Sequence, residues 1–322
     1  MVPPPATPSV PDAAEPHRAD WYTGDLPPGL PERPVWDDDV VVVEPPDARP
    51  GSWAGAPSAL RVRGATYLAY RLRHPLGEGR GVANVVARSE DGERFETLDV
   101  VTKGLFDTDS LERPALTVTP DGRWRLYVSV ATPGTKHWRV DLLEASTPER
   151  LSSATPRTVL AGSATAAVKD PVLLHRDGLW HLWASVHPLE DPANTDRMST
   201  EYATSDDGVA WTWHGTALGA RPDEWDSRGA RITDVIPDER VWAFYDGRAS
   251  AAENWEERTG VAVAGPTFGL FTAAGRAPWA TSPHAGGGFR YVTVLTDPDG
   301  ARRYYYEITL VDGAHELRTH AV

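Results

Sequence analysis

The sequence predicts an all-β fold, a five-bladed β-propeller built of four-stranded antiparallel blades. Three observations carry this. Pro57, Pro114 and Pro171 stand 57 residues apart, and each opens an apolar stretch. Each stretch runs through a turn into a returning strand, as in Leu173-Leu174, Arg176-Asp177-Gly178, then Leu179-Trp180-His181-Leu182-Trp183. Later turns repeat an Asp-Gly pair, Asp91-Gly92 and Asp207-Gly208, and glycine accepts the positive φ that such hairpins need. A constant period in this range marks a repeat architecture. A two-sheet sandwich would not produce it.

Taken in order, residues 1–19 are rich in Pro and Ala and lack any period, so a disordered tail is expected there. Residues 20–322 read as one domain, entered through a Pro-broken lead-in. Val40–Val43 is a short β-branched strand halted by Pro45-Pro46. A lone strand before the first repeat can complete the last sheet and remove an exposed edge. The first unit places strands at Ala56–Val62, Thr66–Tyr70, Val82–Ala87 and Phe95–Val101. The second uses Glu112–Val118, Trp124–Ser129, Arg139–Ala145 and Arg157–Leu160. The third uses Lys169–Leu174, Leu179–Ser185, Thr200–Thr204 and Trp211–Trp213. The fourth opens at Arg231–Ile236 and returns through Val241–Asp246 and Gly260–Ala264. The fifth is the most diverged, with Ala280–His284, Arg290–Leu295 and Tyr304–Leu310; its last strand comes from 316–322 or from Val40–Val43.

Composition narrows the function. The chain has 322 residues and a net charge of -14, which disfavours nucleic acid and anionic membranes as partners. It has no cysteine, so disulfides, thiolate zinc sites and cysteine nucleophiles are excluded. Ten histidines fall into no metal-ligand spacing, and neither a metal nor a cofactor is expected. The start Met1-Val2-Pro3-Pro4-Pro5 lacks the basic and apolar regions of a secretory signal. No run is long enough to span a bilayer, so a cytoplasmic monomer is the expectation. Nucleophile elbows, phosphate-cradling loops and dinucleotide fingerprints are missing from the sequence.

Loop lengths choose the working side. The turns between first and second strands are short. The second-to-third loops are long: 74–80, 131–138, 187–199 and 247–259. Long connections on a rigid scaffold are where binding and chemistry collect. The same side receives the charged openings Glu112-Arg113, Lys169-Asp170, Arg231 and Asp234. Period-2 alternation sends Ala56, Arg113 and Asp170 one way and Gly55, Glu112 and Lys169 the other. A strand regular to its tip therefore aims Arg113 at the pocket and Glu112 away from it. The cations Arg113, Lys169, Arg231 and Arg248 suit salt bridges between blades first, and otherwise an acidic or phosphorylated sugar, or phosphate as an acceptor. The stretch Tyr245–Gly260 holds Asp246, Arg248 and Trp255, and reads as a lid or wall, or as a short capping turn. Trp53 and Trp138 are stacking candidates, and His284 opens the fifth blade near the axis.

The motif Lys169-Asp170-Pro171, with the segments Ala87–Gly92 and Ala203–Gly208, resembles glycoside hydrolase family 43 and relatives such as family 32, across residues 35–322. The resemblance implies a five-bladed propeller that hydrolyses glycosidic bonds with three carboxylates: a base or nucleophile Asp, a tuning Asp and an acid Glu. Asp170 matches the second Asp. Ala56 stands where the first-blade Asp is expected, and Glu112 lies one blade from the expected acid. The candidate catalytic set is therefore Asp170 or Asp234 as base, with Glu112 as acid. Candidate substrate contacts are Trp53, Arg113, Lys169, Arg231, Asp246, Arg248, Trp255 and His284. The partner would be a carbohydrate or glycoside. Two other outcomes stay open: a catalytically silent propeller that binds a carbohydrate or a protein, or a biosynthetic enzyme that reuses the pocket.

Overall fold

The structure is a computed structural model, and it describes residues 39–322 apart from 285 and 298. The expected tail and the lead-in, residues 1–38, lie outside the described residues. The fold is all-β. The helical pieces among the described residues are four short 3-10 turns. The twenty strands among the described residues assemble into antiparallel four-stranded units. The first unit is β2 (Trp53–Val62), β3 (Ala65–Arg73), β4 (Gly81–Ser89) and β5 (Glu96–Thr102). The second is β6 (Leu111–Val118), β7 (Trp124–Ala131), β8 (Trp138–Ala145) and β9 (Arg157–Leu160). The third is β10 (Ala166–Arg176), β11 (Leu179–Pro188), β12 (Ser199–Ser205) and β13 (Thr212–Leu218). The fourth is β14 (Gly229–Pro237), β15 (Val241–Arg248), β16 (Arg258–Ala264) and β17 (Phe271–Ala274). The fifth is β18 (Phe289–Thr296), β19 (Arg302–Thr309), β20 (His315–Ala321) and β1 (Val40–Val43).

The fifth unit corrects the sequence reading by one strand. Its inner strand is β18, and Ala280–His284 belongs to the loop before it. Both proposed closing segments are used: 315–321 is the third strand and Val40–Val43 the fourth. Asp39 fixes that join, accepting from the Tyr306 hydroxyl and pairing with His320 Nδ1 at 2.6 Å.

The Asp-Gly turns form as expected, for identifiable reasons. In Ser89–Arg94 the Ser89 hydroxyl accepts from Gly92 N at 2.8 Å, while Asp91 accepts from Glu93 N and Arg94 N, each at 2.9 Å. Ser205, Asp207 and Gly208 repeat the arrangement. Gly92 and Gly208 hold φ of 77° and 71°, which a side chain would strain. The preceding unit grips each turn: Tyr305 donates to Gly92 O at 2.8 Å, and Tyr127 to Gly208 O at 2.7 Å.

Five apolar cores lie between consecutive units, including one between the fifth and the first, where Tyr305 and Leu317 meet Leu68, Tyr70 and Val85. The inner strands touch in a cycle, β2 to β6 to β10 to β14 to β18 and back to β2. A hydrogen bond crosses each junction: Asn84 Nδ2 to Glu112 O, Asp170 N to Ser129 Oγ, Ile232 N to Thr200 Oγ1, Thr259 Oγ1 to Phe289 O, and His315 N to Ser52 O.

Asp39→Ala removes the bonds to Tyr306 of β19 and His320 of β20 that hold β1 on the fifth unit. We expect it to cost about 1–3 kcal/mol in urea denaturation, with an unchanged circular dichroism spectrum. A loss below the resolution of the measurement would mean that β1 does not secure the fifth unit.

Candidate functional site

Each inner strand carries an irregularity at the level of the repeated proline. The register slips between Gly55 and Ser58, Leu111 and Pro114, Lys169 and Val172, Ile232 and Asp234, and Arg290 and Thr293. A bulge inserts residues that have no partner across the ladder and re-aims their side chains. Ala56, Asp170 and Tyr291 take φ of 54°, 52° and 57°, a region that non-glycine residues seldom occupy.

The bulge overturns the alternation argument for Glu112 and Arg113. Arg113 does not enter the long-loop pocket. It runs into the axis and donates to three backbone carbonyls, of Pro57 at 3.3 Å, Pro171 at 2.7 Å and Thr233 at 2.8 Å. It ties its own unit to three others. Glu112 turns the other way and binds the Arg71 guanidinium.

Asp234 is a second correction. It lies beyond the bulge, on the short-turn side, where it accepts from Thr293 Oγ1 at 3.0 Å and Val294 N at 2.6 Å. It lines a cavity of about 610 Å³ with Arg113 and the second halves of β2, β6 and β10. Burial pushes its carboxyl up to about 6. Arg113 donates to the carbonyls of Pro171 and Thr233, which adjoin Asp170 and Asp234, and it feels the charge of both carboxylates; Asp170 does not line the cavity that Asp234 lines. His284 is the third correction: it sits exposed in the loop before β18 rather than at the opening of the inner strand.

The remaining candidates converge on the long-loop side in a buried charge network. Asp170 is fully buried. Its Oδ2 meets Arg231 at 3.1 Å and Lys169 at 3.5 Å, while its Oδ1 has no hydrogen-bond partner. Arg231 also reaches Asp246 at 2.8 Å. Asp246 further accepts from Tyr291 N at 3.1 Å and Thr259 Oγ1 at 3.3 Å, so it supports the scaffold with both oxygens occupied. Arg290 bridges Glu257 and Glu307, each at 2.7 Å, and Arg248 binds Glu257 as well. Glu307 also meets Arg71 at 3.2 Å and His315 at 2.7 Å. Its carboxylate occupies the space over Gly55, where an added Cβ would come within 2.1 Å of it.

Electrostatics decides which carboxyl could do what. Burial alone would raise Glu112, but Arg71, Lys169, Arg73 and Arg80 outweigh it and hold the group down at about 2. Burial is likewise outweighed at Asp170, by Lys169 and Arg231, and the group stays below the ordinary carboxylate range. Asp246 goes the other way, raised by burial to about 6 despite Arg231. Neither Glu112 nor Asp170 is therefore poised as a neutral acid; both are ionised near pH 7.

The aromatic candidates divide. Trp53 is enclosed: it stacks on His315 with centroids 4.7 Å apart, and the Arg73 and Arg290 guanidinium groups lie 3.8 and 4.6 Å from its ring. Trp255 covers it edge-on at 5.9 Å and is 39% exposed. Trp138 is partly exposed, with Lys169 at 5.2 Å and Arg80 at 5.8 Å from its ring. Sequence reasoning missed Arg71, Arg73, Arg80, Tyr291, Glu257, Glu307 and His315. A signal was present in the second strands, where Arg71 and Arg73 alternate at the end of an apolar run, as Asp246 and Arg248 do in β15.

No protein-family model matches the chain, and no curated protein matches it significantly. Solved structures do. A glycosyl hydrolase from Bacteroides ovatus is 14% identical, with a TM-score of 0.62 over 90% of this chain and 92% of that one. The GH43_1 enzyme from Xanthomonas citri, complexed with xylotriose, is 14% identical, with a TM-score of 0.62 over 88% and 90%. A β-1,2-mannobiose phosphorylase from Listeria innocua, in complex with β-1,2-mannobiose, is 15% identical, with a TM-score of 0.59 over 87% and 94%. The chain thus has the fold of enzymes that act on glycosidic bonds.

Glu257 neutralises Arg248 and Arg290 together, and Glu257→Gln leaves both buried charges short of a partner. We expect it to cost about 3–5 kcal/mol at pH 7. The pH dependence has a definite sign. The depressed Glu112 contributes stability that is complete above its ordinary value near 4.5 and is lost as pH falls towards 2. Asp234 and Asp246, raised to about 6, act oppositely: they weaken the fold as pH rises from about 4 through 6. Urea midpoints between pH 2 and 5 should therefore fall with acid less steeply in Glu112→Gln than in the parent protein. Equal slopes would contradict this assignment.

Proposed function

We propose that the five units form a closed five-bladed propeller and that its long-loop side cleaves a glycosidic bond, with Asp170 as the reacting carboxylate. The cycle of inner strands and the five inter-unit cores support the closed ring. The single observation that carries the site is the chemistry of the bulges. Of the side chains they bring to the axis (Ala56, Arg113, Asp170, Thr233 and Tyr291), Asp170 is the one carboxylate, and one of its oxygens has no protein donor. The fold shared with glycosidic-bond enzymes supports the reaction class.

The charge state gives Asp170 its role. An ionised carboxylate held by Arg231 and Lys169 suits a general base. In hydrolysis the attacking water gives its proton to Asp170 Oδ1 while its oxygen bonds to the anomeric carbon. The bond from that carbon to the leaving oxygen breaks, and the electron pair departs with the leaving group. Glu112, ionised under four cations, supplies no proton to it. The reading therefore favours leaving groups that depart as stable anions. A second reading, a propeller that binds carbohydrate without turnover, is favoured by Ala56, which puts a methyl group at the equivalent bulge of the first unit.

A panel of aryl glycosides separates these readings. Turnover should rise steeply with the acidity of the leaving phenol, and Asp170→Asn should lower it about 100-fold or more while thermal melting shows the variant folded. Absence of turnover across the panel would leave the binding reading.

A further inference from the structure

Most cations of the long-loop side are spoken for. Arg231, Arg248 and Arg290 each bridge two carboxylates at short range. Arg73 and Arg80 differ. Among the described residues neither guanidinium makes a hydrogen bond at any of its nitrogens, whereas Arg231 and Arg248 lack an acceptor at Nε alone. The nearest carboxylate oxygen to Arg73 is Glu112 Oε1, at 3.9 Å, beyond hydrogen-bond reach. Glu112 itself is already bound to Arg71, and Arg71, Lys169, Arg73 and Arg80 all act on this one carboxylate. Among the described residues Lys169 is ion-paired with Asp170 alone, at 3.5 Å. In a chain of net charge -14, a local surplus of positive charge beside the proposed reacting carboxylate is a specific feature.

We infer that Arg73, Arg80 and Lys169 form the binding site for a carboxylate carried by the substrate, so that the glycoside is one of a uronic acid. The inference rests on the reading of the long-loop side as the substrate site. A guanidinium with a free Nε–H edge presents parallel donors that match a planar carboxylate. Arg73 lies over the ring of Trp53, at 3.8 Å, with the ring of Trp255 5.0 Å away at a steep angle to the first, so its guanidinium is packed in place before anything binds. Trp138 carries Lys169 and Arg80 beside its ring and is partly exposed, offering a face for the sugar. Free phosphate would meet the same donors, and the experiment must tell the two apart.

The test reads binding rather than turnover. The protein is titrated with galacturonate, glucuronate, the methyl ester of each, galactose, glucose and inorganic phosphate, following tryptophan fluorescence and thermal melting. At least one free uronate should bind about tenfold or more tightly than its ester and its neutral parent. Arg80→Gln, at a partly exposed position, should remove that preference, as should Arg73→Gln. Equal binding of acid, ester and neutral sugar would overturn the inference, as would a preference that survives both substitutions. Binding of phosphate without any preference for uronate would overturn it too, and would assign the cluster to the free ion. The two proposals fail separately. Uronate binding with no cleavage of any glycoside would leave the carboxylate site and remove the catalytic reading. Cleavage of neutral glycosides with no preference for acid would do the reverse.

Discussion

The slip in register at the head of every inner strand is the constraint on which the site depends. Without it, period-2 alternation would send Arg113 into the long-loop pocket and Glu112 into a sheet interface. With it, the two neighbours separate. Arg113 becomes an axial pin on three carbonyls, and Glu112 becomes the partner of Arg71. Asp170 stays out of the cavity that Asp234 lines with Arg113. Three of the bulges hold a non-glycine residue at positive φ, a cost of order 1–3 kcal/mol each that the surrounding cores must offset.

The bulges gather a crowd of charges at a buried point, and the network is the solution to it. Burying one unpaired ion costs several kcal/mol. Here Arg231, Arg248, Arg290 and Arg71 each reach two carboxylates, so charge is balanced around a loop rather than in isolated pairs. Arginine suits this because its fork serves two acceptors at fixed geometry. Gly55 leaves the space for Glu307 to take part. Balance is incomplete beside Glu112, where the guanidinium groups of Arg73 and Arg80 make no hydrogen bond, near the partly exposed ring of Trp138 and the exposed ring of Trp255.

Much of the fold was legible because its signals are local and repeated. The proline spacing, the Asp-Gly turns and the apolar returns located the strands of the first four units closely. The fifth unit was misread by one strand, since its inner strand lacks the proline and opens with Arg290-Tyr291 instead. The site was legible in part. Asp170, Lys169 and Glu112 stood at strand openings, where charge is out of place unless it has work to do. Asp234 and Arg113 were misplaced because a bulge leaves no mark in a single sequence: one residue more or less in the ladder reverses every later side chain. Arg71, Arg73 and Glu307 come from second strands whose pattern reads as core, and their burial is intelligible only once their partners from other units are known.

The most direct measurement is a crystal structure of the protein with a bound glycoside or sugar. Density for the sugar against Asp170 Oδ1, on the side of Trp138 and Trp255, is the predicted result. A sugar seated instead in the cavity beside Asp234 and Thr293, with the long-loop side empty, would contradict the assignment of the working face and of Asp170 with it.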